Sequence, residues 1–289
     1  MMARWVCLTK GDELYKNIKK YFESSRYQKD LWTVYSDFLE LIAISISNAC
    51  EHITYPERFE KREKRYLDIA KNYSKDELLL FSKIFQRLVE YQDYNISTSG
   101  AKDILGAFLM ELELADKWGG QFFTPMDIAN LMAKLFYPSE WIKNEIETKG
   151  FIIANDSAVG GGATMIGLVN AMLECGFNPQ KQLFVECNDL DSRACLMAYI
   201  QLATLGIPAI VRKQNTLTNQ IYDTWITPAF YIDGRIGKLK GFKDKEKGES
   251  LEKSKESIEK REEILDKKTE RPQEEKETIF EEDGQMSLF

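Results

Sequence analysis

One histidine, five cysteines and no long hydrophobic run occur in 289 residues, and each scarcity closes off a class of function. A lone His52 cannot build a histidine metal site or a histidine relay, both of which need a partner side chain. It falls at the end of an apolar helical stretch, where a helix-end or surface histidine is expected. Cys7, Cys50, Cys175, Cys187 and Cys195 form an odd set with no C-x-x-C pair. Neither a disulfide framework nor a zinc site is signalled, and reduced, mostly buried thiols are expected. No stretch approaches the roughly 18 to 20 uncharged apolar residues of a membrane helix, and the opening MMARWVCLTKGDEL lacks the apolar core of a signal peptide. These absences predict no membrane partner, no metal and a cytoplasmic location. What is present, 44% hydrophobic residues, suffices for a substantial core in one or two domains.

A formal charge of -7 argues against a nucleic-acid partner only if it is spread evenly. It is not. Residues 243 to 284 hold 11 Lys and Arg against 16 Asp and Glu, so the rest of the chain carries only -2. A near-neutral body can still hold a local basic groove. Arg58, Lys61, Arg62 and Arg65 share one helical face and are candidates for phosphate contact, but Glu57, Glu60 and Glu63 sit beside them and favour a solvated helix.

Residues 12 to about 116 show helical periodicity almost throughout, with Leu31, Trp32, Tyr35, Phe38, Leu39 and Ile42 recurring at three- and four-residue steps. Ser74-Lys-Asp-Glu77 before Leu78 fits a capping box and predicts a helix from there to about Tyr91. From residue 150 the period changes. FIIAND, QLFVEC and AIVRK are short β-branched or aromatic runs separated by helical or turn-rich segments, which predicts an open parallel sheet. Ligands of such sheets bind outside the carboxyl ends of the strands.

Two features stand at those ends. Asn155-Asp156-Ser-Ala158-Val-Gly160-Gly161-Gly162-Ala-Thr164 follows the first strand and opens a helix, where glycines permit close approach of a ligand to free backbone amides. Asp189 closes the second strand in Glu186-Cys-Asn-Asp189-Leu-Asp191, well placed to accept the ribose hydroxyls of an adenosine-containing cofactor. A helix is predicted from Ser192 to about Leu205. Thr124 reads as an N-cap and Pro125 as a first helical residue, with Ile128, Leu131, Met132 and Leu135 as the inward face.

Gly119-Gly120-Gln121-Phe122-Phe123-Thr124-Pro125 resembles the G-Q-F-F/Y-T-P box of the modification subunits of type I restriction systems and related DNA adenine methyltransferases. Asp156 to Gly162 resembles that family's D-P-A-C-G-S-G loop, with Ser157 for proline and Val159 for cysteine. Asp189 matches its ribose-binding acid, Ala198 to Ile207 the helix ending N-L-x-L-x-G-I, and Gln214-Asn215-Thr216-Leu217 the segment G-D-T-L. The likeness runs from about Asp103 to Leu217. Periodicity predicts an all-helical region (1–117) and the Lys- and Glu-rich composition a disordered charged linker (237–284), while the likeness implies that 118–236 form a truncated class I, Rossmann-like S-adenosylmethionine domain with a parallel sheet, an α/β chain overall. The likeness also implies that Gln121, Phe122, Phe123, Thr124 and Pro125 hold the methionine end of S-adenosylmethionine. Asp156, Ala158, Gly160, Gly162, Asp189 and Asn215 would complete the cofactor site.

The match fails where the family places N-P-P-F/Y or D-P-P-Y, the tetrapeptide that holds the target amine and stacks on a flipped base. The nearest stretch is Tyr222-Asp223-Thr-Trp225-Ile-Thr227-Pro228-Ala229-Phe230, so Thr227, Pro228 and Phe230 are the candidate catalytic residues, with Thr227 in place of Asn or Asp. No sequence remains after 236 for further strands or a target-recognition domain, so a second subunit that supplies target recognition is a possible partner beside DNA. The last residues, Gln285-Met286-Ser287-Leu288-Phe289, resemble the Q-L-S/D-L-F peptide by which bacterial replication and repair proteins bind the sliding clamp. Two functions result: an N6-adenine DNA methyltransferase-like protein, weakly active or partner-dependent, or a non-catalytic DNA-associated adaptor recruited to the clamp.

Overall fold

The computed structural model describes residues 30–111 and 123–231, together with Lys16 and Lys20. The chain divides into two compact units, Met1–Arg235 and Ile236–Phe289, and all described residues belong to the first. Gly119 to Phe122, the linker 237–284 and the peptide Gln285 to Phe289 lie outside the described residues.

From residue 30 the described residues form four helices before the sheet region: α1 (Leu31–Thr54), α2 (Pro56–Ala70), α3 (Lys75–Thr98) and α4 (Ile104–Glu111). The capping box opens α3 as its residues predict, with the Ser74 hydroxyl accepting from the Glu77 amide at 3.3 Å and the Glu77 carboxylate accepting from the Ser74 amide at 2.7 Å. This helix runs past the expected end near Tyr91 because its last turns bury Gln92 and Asn95, polar residues that end an apolar periodicity. Gln92 Nε2 donates to the Lys102 carbonyl at 3.2 Å. His52 is exposed in the last turn of α1, its ring 6.4 Å from that of Phe59.

Helices α5 (Met126–Phe136) and α6 (Ser139–Lys149) lead to β1 (Ile152–Asp156). Then follow α7 (Ala163–Glu174), the short α8 (Pro179–Gln182), β2 (Leu183–Asp189), α9 (Ser192–Thr204), β3 (Ala209–Asn215), β4 (Gln220–Ile226) and α10 (Pro228–Tyr231). The sheet order is β1-β2-β3-β4, with the first three strands parallel and β4 antiparallel to β3. The sheet is therefore mixed, against the all-parallel expectation. Only Thr216 to Asn219 connect β3 to β4, whereas a parallel crossover needs a dozen or more residues. Asn215 Oδ1 folds this turn by accepting from the Leu217 and Thr218 amides at 3.1 and 3.3 Å.

Helix α9 covers β2 and β3, while α6 and α7 cover β1. Because α1 and α4 pack on α9, helical and sheet residues from Leu31 to Trp225 share one hydrophobic core. The strand positions that face this core are buried, including Ala154, Val185, Cys187, Ala209 and Val211. Their neighbours Ile153, Asn155, Glu186, Ile210 and Arg212 face the other way and keep solvent contact. Among the described residues no helix is long and apolar enough to cross a membrane.

Two expectations are overturned by packing. Helix α5 starts at Met126 with Pro125 at the cap and no side-chain cap bond, one residue later than Thr124 and Pro125 predict. Its inward face is Ala129 and Ala133, while Ile128, Leu131 and Leu135 are about half exposed or more. The reason is a close crossing with α7: a Cβ on Gly167 would stand 2.6 Å from the Ala129 carbonyl oxygen, so only small side chains fit between the two backbones. Arg62 likewise turns inward. Its guanidinium pairs with buried Glu51, donates to Ser47 Oγ at 2.5 Å and to the Thr224 carbonyl at 2.7 Å, and lies 3.7 Å over the Trp225 ring. Arg58 bonds Glu51 at 3.2 Å and Arg65 bonds Glu40 at 2.7 Å. Of the four proposed phosphate contacts Arg62 is thus an interior tie between α1, α2 and β4.

Candidate functional site

The carboxyl ends of β1, β2 and β3 converge on the glycine turn. Asp156 at the tip of β1 has both carboxylate oxygens engaged: Oδ1 accepts from the Ala158 amide at 3.0 Å and Oδ2 from Thr164 Oγ1 at 2.5 Å. That second bond fastens the strand tip to the first turn of α7. Gly160 and Gly162 have φ of +54° and +102°, the left-handed region where an L side chain is strained, so the turn depends on them. Asp189 reaches across from β2: its Oδ2 accepts from the Gly160 amide at 2.9 Å and its Oδ1 from the Asp191 amide at 2.9 Å. The Val159 amide adds a bond to the Asn188 carbonyl at 3.0 Å. Acid and glycine turn, which sequence spacing places on two separate strands, meet at one point.

From β3, Asn215 arrives at the same end of the sheet, and the neighbouring Thr216 hydroxyl donates to the Ser157 carbonyl at 2.9 Å. Phe123 closes the opposite side. Its ring lies 3.3 Å from the place a Cβ on Gly160 would occupy. Half-buried Thr124 and exposed Pro125 carry the chain from there into α5.

Beneath the turn lies a polar knot that sequence reasoning missed. Gln201, 1% exposed on the otherwise apolar face of α9, donates to the Gly161 carbonyl at 2.7 Å and to Asp103 Oδ1 at 2.8 Å. Its own carbonyl oxygen accepts from the Ile104 and Leu105 amides at 2.7 and 3.2 Å, so every polar capacity of the amide is met. Asp103 Oδ1 also accepts from the Gly106 amide at 2.8 Å. Burial raises the Asp103 carboxyl above its ordinary value, against the opposing hydrogen bonds from Gln201 and Gly106. A lone glutamine on an apolar helix was the one signal available.

No family model matches the sequence, and no curated protein matches it. The chain is similar to a crystal structure of the methyltransferase subunit of a type I restriction-modification system from Streptococcus thermophilus, with 15% sequence identity and a TM-score of 0.36. The match covers 72% of this chain and 59% of that one, so the chain spans about three fifths of that subunit's length. At this level the likeness says nothing about ligand or reaction.

Thr227, Pro228 and Phe230 are not brought to this site. Because β4 runs antiparallel, its last residues sit at the amino ends of β1 to β3. Thr227 is fully buried, its hydroxyl donating to the Ile207 carbonyl and accepting from the Ala209 amide, both at 2.8 Å. The Phe230 ring packs on Phe184, near the start of β2, at 5.5 Å. From the Val185–Ala209 pair to the Asp189–Lys213 pair is four residues, about 13 Å along the strands. Thr227 is a sheet-closing residue, at the opposite end of the sheet from Asp189 and the glycine turn. Gln121 and Phe122 lie outside the described residues.

Proposed function

We propose that this chain binds S-adenosylmethionine across the carboxyl ends of β1, β2 and β3, as a protein of the DNA adenine methyltransferase type whose methyl transfer depends on a partner subunit. The observation that carries this reading is the bond between Asp189 Oδ2 and the Gly160 amide, which joins a ribose-directed acid to a glycine turn at the start of a helix. The residues fit such a cofactor. The Asn188 carboxamide oxygen, beside the turn, is buried without a hydrogen-bond partner, and Leu190, 59% exposed directly after Asp189, offers apolar surface to a base. In this arrangement Asp189 holds the ribose hydroxyls and Asn215 faces the adenine ring. Asp156, Ala158, Gly160 and Gly162 shape the turn. Phe123, Thr124 and Pro125 enclose the amino-acid end, a role that the sequence likeness extends to Gln121 and Phe122 outside the described residues.

The cofactor, when bound, supplies an electrophilic methyl group, and the exocyclic amine of a DNA adenine is the acceptor. This chain positions the donor. Holding the amine falls to a second subunit, because Thr227 stands at the other end of the sheet. That same placement favours one second reading, a non-catalytic DNA-associated adaptor that keeps the cofactor fold for ligand sensing.

Calorimetric titration of the full chain with S-adenosylmethionine tests the central claim. Wild type is expected to bind, and Asp189→Ala to lose about 1 to 3 kcal/mol, the cost of a charge-assisted hydrogen-bond pair. Absence of binding by wild type would sink it. The terminal peptide is proposed to dock on a bacterial sliding clamp, with Gln285 as polar anchor and Met286, Leu288 and Phe289 as apolar contacts. The acidic segment before it is proposed to act as its tether. A fluorescence-anisotropy titration in which wild-type and Gln285→Ala, Phe289→Ala peptides give equal signals would eliminate the clamp contact.

A further inference from the structure

A ligand laid across three neighbouring strand ends has an order imposed by the sheet. With its base beside Asn215 on β3 and its ribose at Asp189 on β2, its remaining end lies toward β1 and the turn that leaves it. That end of S-adenosylmethionine carries an α-ammonium group, which demands an acceptor and, in a buried place, an opposite charge. Three carboxylates stand around the turn. Asp156 has both oxygens engaged, by the Ala158 amide and Thr164. Asp189, held by the Gly160 and Asp191 amides, is already assigned to the ribose hydroxyls.

Asp103 differs. Its Oδ1 accepts from the Gly106 amide and Gln201 Nε2, both at 2.8 Å, while its Oδ2 receives no hydrogen bond from any described residue. This oxygen lies 3.3 Å from the point where Gly161 would carry a Cβ, and the Phe123 ring comes to 3.5 Å of the same point. Asp103 itself is only 8% exposed. Asp103 Oδ2 is not one of the sealed side-chain oxygens without a partner, so it keeps open surface through which a ligand can reach it. Gln201 fixes its orientation by gripping Asp103 Oδ1 and the Gly161 carbonyl together.

We infer that Asp103 is the ammonium-binding residue of the site, its Oδ2 receiving the α-amino group of the cofactor against the Gly161–Phe123 edge. The assignment rests on the S-adenosylmethionine reading above. Desolvation already holds the Asp103 carboxyl above its usual value, so an arriving cation relieves an existing penalty. Gln201 is then a positioning residue, acting through Asp103 and the turn.

The test is calorimetry on the full chain with three probes: S-adenosylhomocysteine, its analogue lacking the α-amine, and 5′-methylthioadenosine, which lacks the amino-acid end altogether. Wild type is expected to bind S-adenosylhomocysteine roughly ten- to a hundredfold more tightly than the deaminated analogue, the worth of a hydrogen bond to a charged partner. Asp103→Asn keeps an oxygen for Gly106 and Gln201 but presents an amide instead of Oδ2. It should erase that difference and leave 5′-methylthioadenosine affinity within about twofold. Equal affinity of wild type for the first two probes overturns the assignment without recourse to any variant, and so does an equal loss of all three in Asp103→Asn. Wild type that binds none of the three sinks the cofactor reading and this assignment together, a pattern distinct from either.

Discussion

Asp103 shows at the scale of one side chain how a site can be built against stability. An acid whose folded-state value is raised binds more protons folded than unfolded, across the interval between the ordinary carboxylate value and the raised one. Stability therefore falls as pH rises through that interval, and is unaffected by this group below it. Asp103→Asn carries no such proton, and its side-chain oxygen still accepts from Gly106 and Gln201. Relative to wild type, the ligand-free variant should gain stability as pH climbs from the carboxylate range toward neutrality, read as a growing difference in urea midpoint. A difference that stays flat across the series would show that Asp103 is not held above its usual value. The buried thiols of Cys187 and Cys195 are pushed up by the same desolvation, which keeps them protonated and inert as the cysteine pattern implies.

Elements are tied together by charge as well as by apolar area, and the contrast between two arginines of α2 makes this measurable. Arg62→Ala would leave fully buried Glu51 with Arg58 as its remaining guanidinium partner and should cost about 1.5 to 3 kcal/mol, the worth of hydrogen bonds to a charged group. Arg65→Ala breaks an exposed pair with Glu40 and should cost under about 1 kcal/mol. Urea denaturation that ranks the two equally would mean that α1, α2 and β4 are not held by this network. The same contrast separates what was legible in the chain from what was not. The capping box at Ser74, strands β1 to β3, the α9 helix and the glycine turn all announce themselves through local signals: a cap, short β-branched or aromatic runs, a cluster of glycines after a strand. Arg62 and Arg65 are three residues apart on one helix, and nothing local says which faces Glu51. Likewise the inward face of α5 is set by Gly167 in another helix, and the knot of Asp103, Gln201 and Gly161 joins three distant segments. The direction of β4 was in principle readable, since the four residues between Asn215 and Gln220 exclude a crossover, but a motif likeness pointed the other way.

The sheet has two ends, and the proposed methyl transfer would need both reactants at one of them. Reacting atoms must come within about 3 to 3.5 Å in a near-attack arrangement. Asp189 and the glycine turn stand at the carboxyl end, whereas Thr227 and Phe230 close the amino end about 13 Å away along the strands. No rotamer of Thr227 bridges that distance, and its hydroxyl is already committed to Ile207 and Ala209. Two outcomes are expected from this arrangement. Thr227→Val should lower stability by about 1 to 3 kcal/mol, the cost of leaving the buried Ala209 amide unsatisfied, while leaving S-adenosylmethionine affinity unchanged. The isolated chain, supplied with tritium-labelled cofactor and unmethylated duplex DNA, should transfer no label above background at concentrations where calorimetry shows the cofactor bound. Robust transfer by the isolated chain would mean that residues at the carboxyl end hold the amine unaided, and loss of that transfer in Thr227→Val would restore the motif that the antiparallel strand displaces.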